Sequence, residues 1–151
     1  MRIVPYEPRH ADAWRDLNIA WISRYFTLEP KDIQVLDDPE GKILDQGGFI
    51  FMAEDETGEP IGCVALMAMA DGGFEVVKMT VSEPARGAGL GRLLMEACID
   101  TAAELDAPRL YLETNSSLAP ALSLYRSVGF VQLPPADTPY ARCDVWMERK
   151  L

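Results

Sequence analysis

Residues 79–92 read Met79-Thr80-Val81-Ser82-Glu83-Pro84-Ala85-Arg86-Gly87-Ala88-Gly89-Leu90-Gly91-Arg92. An apolar strand beginning at Phe74 runs into this glycine-punctuated loop, which opens directly into an amphipathic helix. Gly87, Gly89 and Gly91 let the backbone approach a ligand without intervening side chains. A helix N-terminus adds unpaired N–H groups and a positive dipole end, which favour an anionic group. Arg86 and Arg92 flank the turn and can add charge-assisted bonds. One reading is a pyrophosphate cradle formed by Arg86, Gly87, Ala88, Gly89, Leu90, Gly91 and Arg92. The other is a plain strand-to-helix turn that uses glycine for geometry. A P-loop requires Lys-Ser or Lys-Thr after its last glycine, and Leu90-Gly91-Arg92 stands there instead. A dinucleotide fingerprint requires a third glycine where Arg92 stands.

The surrounding chain limits what the loop serves. Its 151 residues, 48% hydrophobic and 25% charged, fit one soluble domain over 1–151. No apolar run reaches the roughly 20 residues that span a bilayer, so no membrane partner is expected. Cys63, Cys98 and Cys143 are scattered, and neither a disulfide framework nor a metal site is suggested. With no apolar leader at the N-terminus, the expectation is a reducing cytoplasm with the cysteines as small core hydrophobes. The net charge of −10 argues against nucleic acid. A phosphate-rich ligand must then sit on a local positive island, while the general field attracts cations.

The apolar pattern predicts the order β-α-α-β-β-β-α-β-α-β-β. Trp14, Leu17, Trp21 and Tyr25 recur at helical steps between Arg9 and Tyr25. Pro30 interrupts, a second short helix covers Lys31–Leu36, and Asp37–Gly41 reads as a turn. Strands are expected over Phe49–Glu54, Ile61–Ala70 and Phe74–Val81. Leu90, Leu93, Leu94, Ala97, Cys98, Thr101 and Leu105 predict one apolar face of the next helix. A strand at Arg109–Glu113 precedes a helix capped by Ser116 or Ser117 and stopped by Gly129. Phe130–Leu133 and Cys143–Glu148 finish as strands. Meander and alternation together suggest a mixed α/β sheet with helices on both faces.

A second constellation lies in this last half: Asn115, Ala121, Leu124-Tyr125 and Gly129-Phe130. Together with Arg86-Gly87-Ala88-Gly89-Leu90-Gly91, it resembles the GNAT superfamily of acyl-CoA-dependent N-acetyltransferases. Arg86, Gly89 and Gly91 match that family's Gln/Arg-x-x-Gly-x-Gly/Ala signature. The resemblance covers nearly the whole chain, least distinctively over Trp14–Leu44. It implies a mostly antiparallel sheet whose central strand is bulged and splays from its neighbour, leaving a V-shaped cleft. It further implies acetyl-CoA as the donor, with its pyrophosphate on the amides of Arg86–Arg92 and its acyl end beside Met79, Thr80 and Val81. Asn115 is implied as a further contact to coenzyme A. The acceptor is then a primary amine of a small molecule, amino acid or peptide. A homodimer through the last strand is a further expectation.

Direct attack of an amine on a thioester needs a neutral amine, an oxyanion donor and a proton for the leaving thiolate. A backbone N–H around Met79–Val81 is the candidate donor. The resemblance assigns the proton to Tyr125, which otherwise reads as a packing residue on its helix. Glu75 is the candidate base, because strict alternation sets it among Val77, Met79 and Val81, where apolar company raises a carboxyl pKa. Glu113 competes for that role, and so does an ordered water. Trp21, Tyr25, Phe26 and Glu29 fall where relatives hold the acceptor, an aromatic wall and a carboxylate suited to a cation. Trp21 also fits a core role. Arg142 either reads an acceptor carboxylate or pairs with a surface acid. His10, the only histidine, reads as a surface residue. The alternative to an enzyme is an acyl-CoA-binding regulatory or sensor domain with little turnover.

Overall fold

The computed structural model describes residues 1–151. The chain begins with β1 (Arg2–Pro5), α1 (Ala11–Tyr25), α2 (Pro30–Asp37) and α3 (Pro39–Lys42). It continues through β2 (Phe49–Glu54), β3 (Pro60–Ala68), β4 (Phe74–Val81), α4 (Leu90–Glu104), β5 (Arg109–Thr114), α5 (Ala119–Ser127), β6 (Val131–Leu133) and β7 (Val145–Lys150). The seven strands form one sheet in the order β1-β2-β3-β4-β5-β7-β6. Every pairing is antiparallel except β4–β5, so the sheet is mixed, as the sequence predicted.

Alternation along β3 divides the core. Val64 and Leu66 face α4 and α5, where Leu90, Leu94, Met95, Cys98, Leu122 and Tyr125 close one layer. Cys63 and Ala65 face α1 and α2, where Trp14, Ile22, Val35 and Leu36 close the other. No helix is long and apolar enough to cross a membrane.

Several local expectations change. Pro30 opens α2 at its first position rather than breaking a helix, because its missing N–H is one the first turn leaves unpaired anyway. Asp37–Gly41 is not a bare turn: Asp38 accepts from the Gly41 amide and caps α3. The buried stripe of α4 is Leu90, Leu94, Met95, Cys98 and Ala102, while Leu93 and Leu105 are exposed. Leu118, not Ser116 or Ser117, precedes α5, because Asp144 takes the Ser116 amide and hydroxyl. The last strand starts at Val145, two residues later than predicted.

His10 is fully buried, not at the surface. Its Nδ1 accepts the Glu7 amide at 2.9 Å, so its proton sits on Nε2, 2.9 Å from Glu54 Oε2. Glu54 is buried too and also meets Arg2 and Arg9; the His10 hydrogen bond first, then Arg9 and Arg2, hold its carboxyl down at about 2 against the effect of burial. This cluster ties β1 and the entry to α1 onto the end of β2.

Candidate active site

The site begins with one extra residue. Cys63 pairs with Thr80, but Ala65 pairs with Val77, so Lys78 and Met79 together oppose Val64. This is a β-bulge, and Lys78 takes the left-handed conformation (φ 56°) to make it. The bulge resets the alternation that the sequence implied. Val77 packs on the α1/α2 side, while Met79 and Val81 pack on the α4/α5 side. Glu75 therefore keeps company with Val77 and the Lys78 side chain, not with Met79 and Val81.

Beside the bulge the sheet opens. β4 and β5 pair only at Phe74–Leu110 and Glu75–Tyr111. Past that point no strand pairs with the β5 side of β4, while β5 stays paired with β7 through Thr114. The resulting cleft holds a cavity of about 250 Å³. Residues 75–81 and 112–115 form its two sheet walls, with Leu118, Ala121 and Tyr125 on the α5 side and Trp21 and Phe26 on the α1 side.

Glu75 and Glu113 both line this cavity but differ in what they can do. Glu113 is engaged at both oxygens, by the Tyr111 hydroxyl at 2.7 Å and the Thr138 hydroxyl at 2.5 Å. Glu75 has no hydrogen-bond partner in the protein. Burial, and then the charge of Glu113, push its carboxyl up to about 7, against smaller opposing effects of Lys78 and Lys31. A free carboxyl titrating near neutrality is suited to exchanging protons.

Tyr125 is buried in α5, its ring 6.0 Å from that of Phe130. Burial, then the nearby Cys98, raise its phenol to about 12. It therefore stays protonated, and it lines the cavity opposite the bulge.

The opposite end of the cavity is ionic, and sequence reasoning missed most of it. Asp32 of α2 is fully buried, and its carboxylate receives Lys78 at 2.5 Å and Arg142 at 2.6 and 2.8 Å. Burial would raise its pKa, but Arg142, Lys78 and the Glu29 amide hold it at about 2. Tyr140 lies against both cations, with Lys78 4.7 Å and Arg142 4.5 Å from its ring centre. Glu29 does not line the cavity; its oxygens accept the Ala141 amide and Arg142 Nη1. Asn18, Thr80 and Cys143 also line the cavity.

The glycine loop stands at the other end. Gly87 and Gly89 hold φ of 83° and 76°, with open space where a Cβ would stand. The amides of Gly87 through Arg92 donate to no backbone acceptor, and the first helical bond runs from Leu93 to Gly89. Gly91 permits close helix packing, since a Cβ would lie 3.3 Å from Leu124. Leu90 offers only its backbone, its side chain being core. Arg86 reaches the Tyr25 hydroxyl at 3.0 Å, and Arg92 reaches Ser127 at 2.7 Å. Tyr25 and Phe26 both pack tilted against Trp21, so the aromatic run is one surface, but Tyr25 itself faces outward. Asn115 gives its amide to Arg142 O and accepts from Ser117, which fixes the end of β5 at the cavity rim.

These features coincide with a known family. The acetyltransferase (GNAT) family model matches residues 11–130. An IAA acetyltransferase of Azospirillum brasilense is 33% identical over 123 residues, covering 80% of this chain and 74% of that protein. The chain spans 62% of the length of a further curated relative. A GNAT-family acetyltransferase structure from Staphylococcus aureus superposes with a TM-score of 0.89 at 19% identity, over 99% of this chain and 98% of the other. A Sinorhizobium meliloti phosphinothricin acetyltransferase, solved in complex with acetyl-CoA, gives 0.82 at 17% identity, over 99% and 88%. With the family model spanning most of its length, the chain belongs to the acetyltransferase (GNAT) family.

Proposed function

We propose that the chain, as a single domain, transfers the acetyl group of acetyl-CoA to a primary amine by direct attack. The observation that carries this reading is the opening between β4 and β5, which brings Glu75, the bulged backbone and Tyr125 to one cavity. The unpartnered amides of Gly87–Arg92 fit the diphosphate, and the unpaired edges of β4 and β5 fit an extended pantetheine arm. Bound there, acetyl-CoA supplies an acyl group activated as a thioester.

The chain's own groups then have distinct tasks. Glu75 accepts a proton from the ammonium form of the acceptor and releases its lone pair. Attack forms the C–N bond and breaks the C–S bond. Backbone N–H groups of Met79–Val81 receive the charge developing on the carbonyl oxygen. Tyr125 gives its proton to the departing sulfur, and the second proton of the attacking nitrogen, lost as the amide forms, restores the Tyr125 phenol. A phenol at about 12 is a weak acid beside a thiol near ~8.5 in water. The thiolate, however, would form in the same buried surroundings, and burial destabilises both anions. Glu113, held by Tyr111 and Thr138, acts by raising the Glu75 carboxyl. Asn115 and Arg92 shape the coenzyme site, and Trp21 and Phe26 form the apolar side of the acceptor site.

The test is release of free thiol from acetyl-CoA with a panel of amines, amino acids and peptides, for the native chain and for Tyr125→Phe. The native chain releases thiol. The Phe variant keeps its acetyl-CoA affinity and loses turnover by about 10²-fold or more. Turnover unchanged in Tyr125→Phe removes the role given to that hydroxyl. No release with any acceptor removes the enzyme reading and leaves an acyl-CoA-binding domain.

A further inference from the structure

The proposed reaction leaves one set of groups at the cavity unused. Lys78 is 5% exposed and Arg142 is 17% exposed, and both line the cavity on the acceptor side of the bulge. Their bonds to Asp32 do not exhaust them. Lys78 Nζ gives two of its three protons, to Asp32 and to the Tyr140 oxygen. Arg142 uses Nη1 on Glu29 and Asp32 and Nη2 on Asp32, but its Nε–H has no acceptor in the protein. The Tyr140 hydroxyl accepts from Lys78 and donates to no protein group. Charged and neutral donors with nothing to bond thus line one part of the cavity wall.

On the same wall stand Glu113 and Glu75, whose carboxyl has no donor in the protein and lies close enough to Lys78 and Tyr140 for their charges to act on one another. The wall is bipolar: donors without acceptors and a carboxyl without a donor stand side by side. A plain alkylamine would satisfy the carboxylates and bury the donors unpaired. Each donor so stranded keeps its desolvation penalty with nothing to offset it. An acceptor that is anionic overall would face Glu75 and Glu113. A molecule carrying both an ammonium and a carboxylate answers both. Trp21 and Phe26 complete the enclosure with apolar surface.

We propose that the acceptor is a free amino acid with an apolar side chain, its carboxylate held by Lys78, Arg142 and Tyr140 and its amine presented at Glu75. This rests on the acetyltransferase reading above. In it, Asp32 is a positioning residue: it does not reach the acceptor but fixes both cations and keeps them charged.

The experiment compares leucine and phenylalanine with their carboxamides and with isoamylamine and phenethylamine, by thiol release at saturating acetyl-CoA. The amide's amine is the less basic, so chemistry alone favours it; a preference for the acid therefore reports recognition. The acid should exceed both analogues in kcat/KM by about 10- to 100-fold, the value of a charged hydrogen bond. In Lys78→Met and Arg142→Gln that ratio should fall toward one, with acetyl-CoA affinity retained as proof of folding. Should neither fold, Tyr140→Phe removes one donor and lowers the ratio by about 3- to 10-fold. Equal or better use of the amides and amines overturns the proposal and leaves the acetyltransferase reading standing. If no compound releases thiol, calorimetric titration of the same series into the CoA-loaded protein decides. Carboxylate-dependent binding then keeps the site without the reaction, and binding indifferent to the carboxylate sinks both.

Discussion

Glu75 offers the sharpest test, because one substitution should change rate and stability in opposite directions. Its carboxyl stands at about 7 instead of 4.5, raised by burial and then by Glu113. A displacement of that size corresponds to about 3 kcal/mol. If Glu75 is the base, kcat/KM rises about tenfold per pH unit below pH 7 and levels off above it. Measured with an acceptor whose own amine titrates well above 8, this limb belongs to the protein. Glu75→Gln should erase the limb and lower the plateau by about 10²- to 10⁴-fold. Glu113→Gln should keep the limb and move it toward acid, since a raising charge is gone.

The stability consequence has the opposite sign. Because the folded-state pKa lies above the unfolded one, the native protein holds the Glu75 proton that the unfolded chain releases between pH 4.5 and 7. Folding stability falls across that window by up to about 3 kcal/mol. Glu75→Gln removes the cost, so the variant should melt higher than the native chain at pH 8. In a chain of this length the gain is up to about 6–12 °C. At pH 4 the two should melt together. The assays are a pH–rate profile and calorimetric melting at both pH values. A limb near pH 7 that persists in Glu75→Gln refutes the base assignment, and equal melting at pH 8 refutes the burial argument beneath it.

Other perturbations are equally specific. Gly89→Ala places a Cβ on a left-handed residue in open space, so it should cost about 1–2 kcal/mol without a clash and weaken acetyl-CoA binding by calorimetry. Gly91→Ala lies inside α4, where helix propensity offsets the 3.3 Å contact with Leu124, and should melt within about 1 kcal/mol of the native chain. Asp32→Asn strands two buried cations and should lower stability by about 3–5 kcal/mol in urea unfolding. Because Asp32 stands at about 2, below its unfolded value, its contribution holds above pH 4 and is lost as pH falls through 2.

The legible and illegible parts of this molecule divide along a physical line. Gly87 and Gly89 were readable because a left-handed backbone in open space leaves glycine as the residue without strain. The alternating strands and the helix periods were readable because burial repeats along the chain. The resemblance put Trp21 and Phe26 on the acceptor side, and both line the cavity. Lys78 left no such mark: it takes a left-handed conformation without being glycine, so the resemblance implied a bulge in this strand but no residue fixed its position, and strict alternation put Met79 and Val81 on the face of Glu75. Asp32 gave no local signal either, for its partners lie 46 and 110 positions away. His10 was placed outside because a polar residue before a helix usually is, whereas Glu54 arrives from β2 to accept its hydrogen bond.

In the proposed reaction the bulge also lets one strand serve both halves. In an unbulged β4, side chains on the two sides of the sheet would alternate without interruption, and the backbone facing β5 would keep its pleat. The extra residue turns the Lys78 side chain toward α2 while Met79 and Val81 return to the α4 core. The left-handed backbone costs about 1–2 kcal/mol, and the buried ion pair with Asp32 opposes it. Parallel pairing with β5 stops just before this point, so the peptide groups freed by the bulge face a gap and not a strand. Side chains that would read an acceptor and amides that would read a thioester are then displayed by consecutive residues. In the proposed reaction, specificity would change through Asp32, Tyr140 and Arg142, which come from α2 and the segment before β7, without disturbing the backbone assigned to the acyl group. The division matches the sequence, where the coenzyme-side motifs are distinctive and the acceptor-side elements are not.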